Sequence, residues 1–179
     1  TEMLQAAAAG EIETLILLGA DPLCDFPDRN LAAEAIQKVK TVVAIDNFVT
    51  SSVAQADIVL PATAYGEQNG TTTNIEGRVS RVIQKITPPG STRDDWMIAT
   101  ELAWRLGGDL GLTSKEEIWR EIEQVAPSHN GITLERVTSD ETHEGILVQQ
   151  SSIDLVLPVP QDTPIADGYG LRLISGRKL

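Results

Sequence analysis

Three short apolar runs dominate the first third of the chain, each closed by a residue that turns or stops it. Thr14-Leu15-Ile16-Leu17-Leu18 ends on Gly19, Thr41-Val42-Val43-Ala44-Ile45 on Asp46, and Ile58-Val59-Leu60 on Pro61. The first two read as strands buried on both faces of a parallel sheet, and the third as a further brief strand. Between the first two, Leu31, Ala35 and Ile36 recur at helical spacing. With Asn30 as cap they predict a helix to about Lys38. A shorter helical piece is predicted near Ser51–Gln55, and residues 3–9 form an Ala-rich helix stopped by Gly10. Strands and helices alternating over such short connections predict an α/β fold with right-handed crossovers. The expected architecture is three-layered, a mostly parallel sheet with flanking helices.

The pattern then changes. Gly66, Gly70 and Gly77 punctuate a polar stretch in which Thr71-Thr72-Thr73 is extended, and Val79 to Ile86 alternates as a strand would. Asp94 or Asp95 opens a helix to about Leu106, with Trp96, Ala99, Ala103 and Leu106 on one face. Ser114 and Glu117 form a capping box for a helix over about Lys115–Val125. From Ser128 to Gln150 the chain is polar and reads as irregular. Pro158, Pro160 and Pro164 mark a linker, and Leu171 to Ile174 reads as the strand of a further unit. The expected division is a partial α/β domain over 1–127, an irregular segment and linker over 128–164, and the start of a barrel-like domain over 165–179.

Composition narrows the chemistry. Hydrophobic residues make up 41% of the 179. No apolar run approaches the roughly eighteen positions a bilayer span takes, so no direct membrane insertion is expected. A net charge of −12 argues against nucleic acid as a partner, because nucleic acid is bound through a basic face. The single cysteine, Cys24, cannot form an internal disulfide. It also falls short of the about four thiolates an iron–sulfur cluster takes, and it reads as a small, partly buried hydrophobe. His129 and His143 match no metal-ligand spacing and read as surface residues, so no metal site is assigned. Trp96, Trp104 and Trp119 read as core or partner-facing anchors. No nucleophile–base pair and no glycine-rich phosphate loop is present, so no catalytic residue is assigned.

Two segments carry more specific information: Leu17-Leu18-Gly19-Ala20-Asp21-Pro22, and Ala56-Asp57-Ile58-Val59-Leu60-Pro61-Ala62 followed by Glu67, Gly70-Thr71, Asn74 and Glu76-Gly77-Arg78. The second resembles the molybdopterin oxidoreductase signature, in which a strand ending in Leu-Pro leads to a glutamate, Gly-Thr and Asn-x-Glu-Gly-Arg. The resemblance covers roughly residues 3–107. Its overall flavour is most like the large iron–sulfur subunit of bacterial respiratory complex I, the NADH–quinone oxidoreductase. Met3 lies inside a predicted helix, so the chain reads as a carboxy-terminal piece of such a subunit. The implied fold is the middle domain of formate dehydrogenase and DMSO reductase-like enzymes.

The resemblance implies a cofactor-binding group of Gly19, Asp21, Asp46, Thr50, Asn74, Glu76 and Arg78. In the molybdenum enzymes the corresponding segments cradle a pterin guanine dinucleotide. Gly19 permits close approach at the end of a parallel strand. Asp46 stands where a carboxylate would hold a ribose hydroxyl or a guanine edge, and Thr50, Asn74 and Arg78 supply donors. A bland reading stands beside this one: Gly19 makes a turn, Asp46 and Asp57 cap loops, and Glu76 pairs with Arg78. Asp21 departs from the pattern, where a neutral Asn is more usual, since a carboxylate repels a pyrophosphate. Ser51 and Ser80 depart as well.

The departures and the acidic charge lead to one expectation: a vestigial, non-catalytic scaffold of the complex I subunit, with no cofactor in this stretch. Iron–sulfur clusters would sit upstream, and electrons would pass from NADH towards quinone. The partners would be other subunits of a respiratory complex, on the cytoplasmic face of the inner membrane. The alternatives are part of a molybdopterin guanine dinucleotide enzyme such as a formate dehydrogenase or nitrate reductase, or a free-standing small-molecule-binding module.

Overall fold

The computed structural model describes residues 1–139 and 144–148. Helix α1 (Glu2–Ala8) leads into β1 (Thr14–Leu18), followed by a single turn α2 (Pro22–Asp25) and α3 (Arg29–Lys38). Then come β2 (Thr41–Asp46), a 3₁₀ turn at Val53–Gln55, and β3 (Ile58–Pro61). The three strands form one parallel sheet in the order β1-β2-β3. Leu15 pairs with Val42 and Leu17 with Ala44, while Ile45 pairs with Leu60. That register places the three carboxyl ends, at Gly19, Asp46 and Pro61, along one edge.

The two sheet faces are covered differently. Leu15, Leu17, Val42 and Ala44 point to one side and pack with Leu4 and Ala7 of α1 and Ala32, Ala35 and Ile36 of α3. Ile45 points to the other side and packs with Ala62 and with Ile98 of α4 (Asp95–Arg105). The helices on both sides make this a three-layer α/β unit, as the apolar runs predicted. The second layer is incomplete over β1, where Ile16 is 50% and Leu18 60% exposed. The expectation that β1 is buried on both faces is therefore met on one face only.

A second, smaller sheet follows. β4 (Gly70–Thr73) and β5 (Arg78–Val82) form an antiparallel hairpin, extended by β6 (Ile146–Leu147) beside β5. Val79 of β5 is fully buried against Trp119 of α5 (Lys115–Val125), Ile132, and Val137 of α6 (Leu134–Thr138). The Trp119 indole donates to the Ile132 carbonyl at 2.7 Å, satisfying its only polar atom inside this core.

Several local expectations are corrected. The cap of α3 is Asp28, whose carboxylate accepts from Leu31 N at 3.0 Å, and Asn30 lies inside the helix. β5 stops at Val82 because Gln84 N donates to the Asn69 side chain, which takes the place of the strand ladder. Residues 127–138 are ordered against α5 as a 3₁₀ turn and α6, where the polar sequence suggested irregular chain. Cys24 is exposed, not partly buried. His129 is half-buried, edge-on to Trp119 with ring centroids 6.1 Å apart. His143, the proline linker and the strand expected at Leu171–Ile174 lie outside the described residues.

The two sheets are joined at Asp94, just before α4. Its carboxylate accepts from the Thr63 hydroxyl at 3.0 Å and the Trp96 indole at 3.3 Å, and lies 2.8 Å from the Lys115 ammonium. Lys115 also donates to the Asn69 carbonyl at the start of the hairpin. One carboxylate thus ties the exit of β3 to α4, α5 and β4. No helix among the described residues is long and apolar enough to cross a membrane.

Candidate functional site at the carboxyl edge of the parallel sheet

Open parallel sheets bind ligands outside the carboxyl ends of their strands, so the loops after β1 and β2 are the place to look. Gly19 donates its N–H to the Ile45 carbonyl at 2.9 Å, which sets it directly beside the end of β2. Its φ of 56° is left-handed, and a Cβ built there meets nothing within 4 Å. Glycine is therefore needed for the turn, and the space above it is open. Asp46 uses one oxygen, Oδ1, to accept from Asn47 N at 2.7 Å and Phe48 N at 3.1 Å. Its other oxygen accepts no hydrogen bond among the described residues. Both the bland and the functional reading of Asp46 thus have a basis, one for each oxygen.

Asp21 and Thr50 are occupied within the fold. The Asp21 carboxylate accepts from the Ser52 hydroxyl at 2.5 Å and the Ser52 N–H at 3.1 Å. Thr50 Oγ1 accepts from Val53 N at 3.3 Å and starts the 3₁₀ turn. Asn74, Glu76 and Arg78 belong to the other sheet. Asn74 Oδ1 accepts from Glu76 N at 3.0 Å and Arg78 N at 2.9 Å, shaping the β4–β5 turn. Arg78 lies 4.0 Å from Glu76 and reaches the carbonyls of Glu144 and Gly145. No hydrogen bond or ion pair among the described residues joins this hairpin trio to Gly19, Asp21, Asp46 or Thr50.

Sequence reasoning missed two residues at this edge. Asp95, in the first turn of α4, is half-buried and accepts no hydrogen bond among the described residues. Burial first, then the charges of Asp94 and Asp46, push its carboxyl above the ordinary aspartate range. An acid at a helix start reads as a dipole partner; only the tertiary fold brings it towards Asp46. Asp95 also lines an apolar groove of about 420 Å³ between the open sheet face and α4, walled by Ile16, Leu18, Ile45, Trp96 and Leu106. The second missed residue is Ser52. It is fully buried, and nothing in the run Thr50-Ser51-Ser52 marks it from its neighbours.

The sequence profile described as molybdopterin oxidoreductase matches residues 1–105. The chain belongs to the molybdopterin oxidoreductase family. Membership of that family implies a molybdopterin cofactor for the parent enzyme. The chain is 37% identical over 134 residues to the F420-dependent formate dehydrogenase subunit alpha of Methanocaldococcus jannaschii, covering 74% of this chain and 20% of that protein. It is 31% identical over 204 aligned positions to the assimilatory nitrate reductase catalytic subunit of Bacillus subtilis, covering 98% of this chain and 29% of that protein. It therefore spans less than a third of the length of either relative. In fold it is similar to acetylene hydratase from Pelobacter acetylenicus, with a TM-score of 0.58 and 22% identity over 66% of this chain and 17% of that one.

These relatives correct the finer expectation. A formate dehydrogenase and a nitrate reductase stand where the complex I subunit was expected, so the reading as a scaffold of NADH–quinone oxidoreductase is overturned. The absence of a cofactor was expected in part from Asp21 as a charge that repels a pyrophosphate; in the fold that carboxylate is bound to Ser52.

Proposed function

We propose that this chain forms one wall of the cofactor cleft in a molybdopterin oxidoreductase of the formate dehydrogenase or nitrate reductase kind. It receives the guanosine end of a molybdopterin guanine dinucleotide at the carboxyl edge of β1-β2-β3. The observation that carries the reading is the pairing of open space over Gly19 with two carboxylates, Asp46 and Asp95, that have acceptor capacity to spare. A guanine edge offers ring and exocyclic N–H donors and a ribose offers hydroxyls, and a carboxylate accepts from both. The apolar groove beside Asp95 suits a flat base more than a phosphate.

The residues present fit the nucleoside half of that cofactor better than its pyrophosphate. Lys115 is held by Asp94 and carries no free charge to the edge. When bound, the cofactor supplies the metal-centred redox chemistry. This chain's contribution is to orient the nucleoside: Asp46 holds a hydroxyl or base edge, Asp95 accepts from the base, and the groove walls exclude water from that contact. The test is acid hydrolysis of the purified whole protein, with nucleotide chromatography and elemental analysis. Guanosine monophosphate released in stoichiometric proportion with molybdenum or tungsten is expected. A whole protein carrying neither a guanine nucleotide nor either metal would overturn the proposal.

A further inference from the structure

The Asp21–Ser52 contact joins the two loops that frame the proposed cleft, and its chemistry goes beyond packing. Ser52 is wholly buried and sits 31 residues from Asp21 in the chain. Its hydroxyl donates to Asp21 Oδ1 at 2.5 Å and accepts from Leu23 N at 3.1 Å, while its own N–H donates to the same Oδ1 at 3.1 Å. Asp21 is the residue before α2, yet its carboxylate does not cap that turn. The capping acceptor comes from the other loop, as the Ser52 hydroxyl on Leu23 N. The neighbours on either side are fixed as well. Leu23 and Val53 are both buried in the main core, and the Thr50 hydroxyl caps the turn at Val53.

We propose that Asp21 and Ser52 form a latch that sets the spacing between the loop after β1 and the loop after β2. Asp21 is then a positioning residue, acting on the ligand through Ser52 and not by touching it. The ionised carboxylate makes both Ser52 bonds charge-assisted, roughly doubling their strength over neutral ones. The loops it binds carry Gly19 and Asp46, so their separation fixes the width of the opening a nucleoside must enter. An amide oxygen accepts in the same geometry as the carboxylate oxygen, so the latch needs an acceptor at position 21 more than it needs a charge. The ligand part of this inference rests on the proposed function; the latch itself does not.

The experiment uses this full chain and the variants Asp21→Asn, Asp21→Ala and Ser52→Ala. It measures amide hydrogen exchange by NMR, together with the affinity for guanosine diphosphate. A latch transmits damage across the contact. Asp21→Ala should speed exchange at Ser52, Val53 and Ala54 about tenfold or more, and Ser52→Ala should do the same at Leu23. Asp21→Asn keeps the acceptor but loses the charge, so exchange at these amides should fall between that of the parent chain and that of Asp21→Ala. Faster exchange confined to the mutated loop in each variant, or equal losses in Asp21→Asn and Asp21→Ala, would overturn the latch. Weaker guanosine diphosphate binding in Asp21→Ala, with a smaller loss in Asp21→Asn, is the expected ligand result. Equal weakening in both would make Asp21 a direct contact and overturn the positioning role. No binding by the parent chain would count against the nucleotide reading alone, leaving exchange to decide the latch.

Discussion

The two faces of the parallel sheet are built from the same kinds of residue and meet different surroundings. Leu17 and Leu18 are neighbours in β1; Leu17 is 6% exposed beneath α3, and Leu18 is 60% exposed above the open groove. Sequence cannot separate them, because a run of aliphatic residues states that a face is apolar and not what covers it. The covered face holds the fold together. The open face meets the carboxyl edge, where Asp95 is the one carboxylate in the lining of an otherwise apolar groove. Stability and ligand chemistry are thus divided between the two sides of one strand.

Truncation across that divide gives the largest expected effect. Leu17→Ala removes a buried side chain packed among α1, α3 and β2, and should cost about 2–5 kcal/mol in chemical denaturation. Leu18→Ala should cost under about 1 kcal/mol, because most of its surface is already in contact with water. Equal losses from the two changes would mean that the open face is covered in solution, and the contrast would fail.

A smaller effect is expected from the open groove's charge. Burial and two neighbouring carboxylates raise the Asp95 pKa in the folded chain, so its ionised form opposes folding at neutral pH. As pH falls through the raised value the folded chain takes up the proton first, and the penalty fades. It is gone once the pH lies below the ordinary aspartate value, where both states are protonated. Asp95→Asn should therefore raise the melting temperature slightly at pH 7, the gain kept small by the group's partial exposure to solvent. The gain should shrink as the pH is lowered towards 4. A gain that grows with acidification would reverse the assigned sign.

Much of this architecture was legible in the residues. The three aliphatic runs became β1, β2 and β3 in parallel register, and the spacing of Leu31, Ala35 and Ile36 became α3. Ser114 capped α5 as expected, with Glu117 N donating to the Ser114 hydroxyl at 3.2 Å, while the Glu117 carboxylate of the expected box accepts from Thr113. Local pattern fixes such features because their partners lie within a turn or two. The site was legible only in part. Gly19 and Asp46 emerged because strand ends are visible in sequence, and the structure sets them side by side. Asn74, Glu76 and Arg78 were grouped with them by motif, yet their hydrogen bonds are spent shaping a hairpin turn and holding β6. Ser52 and Asp95 stayed hidden because their roles depend on partners 31 and about 50 residues away, across loops whose packing no periodicity records.

The most direct test of the central claim, that the carboxyl edge of β1-β2-β3 receives a guanine nucleotide, is nucleotide content in the whole protein with Asp46→Asn. The amide keeps an oxygen for Asn47 and Phe48, so the loop should hold and the melting temperature should change little. It removes the charge that strengthens acceptance from guanine or ribose donors. The account predicts a fall of about tenfold or more in guanosine monophosphate released per polypeptide, at unchanged thermal stability. Full nucleotide content in the variant, with the fold equally intact, would contradict it.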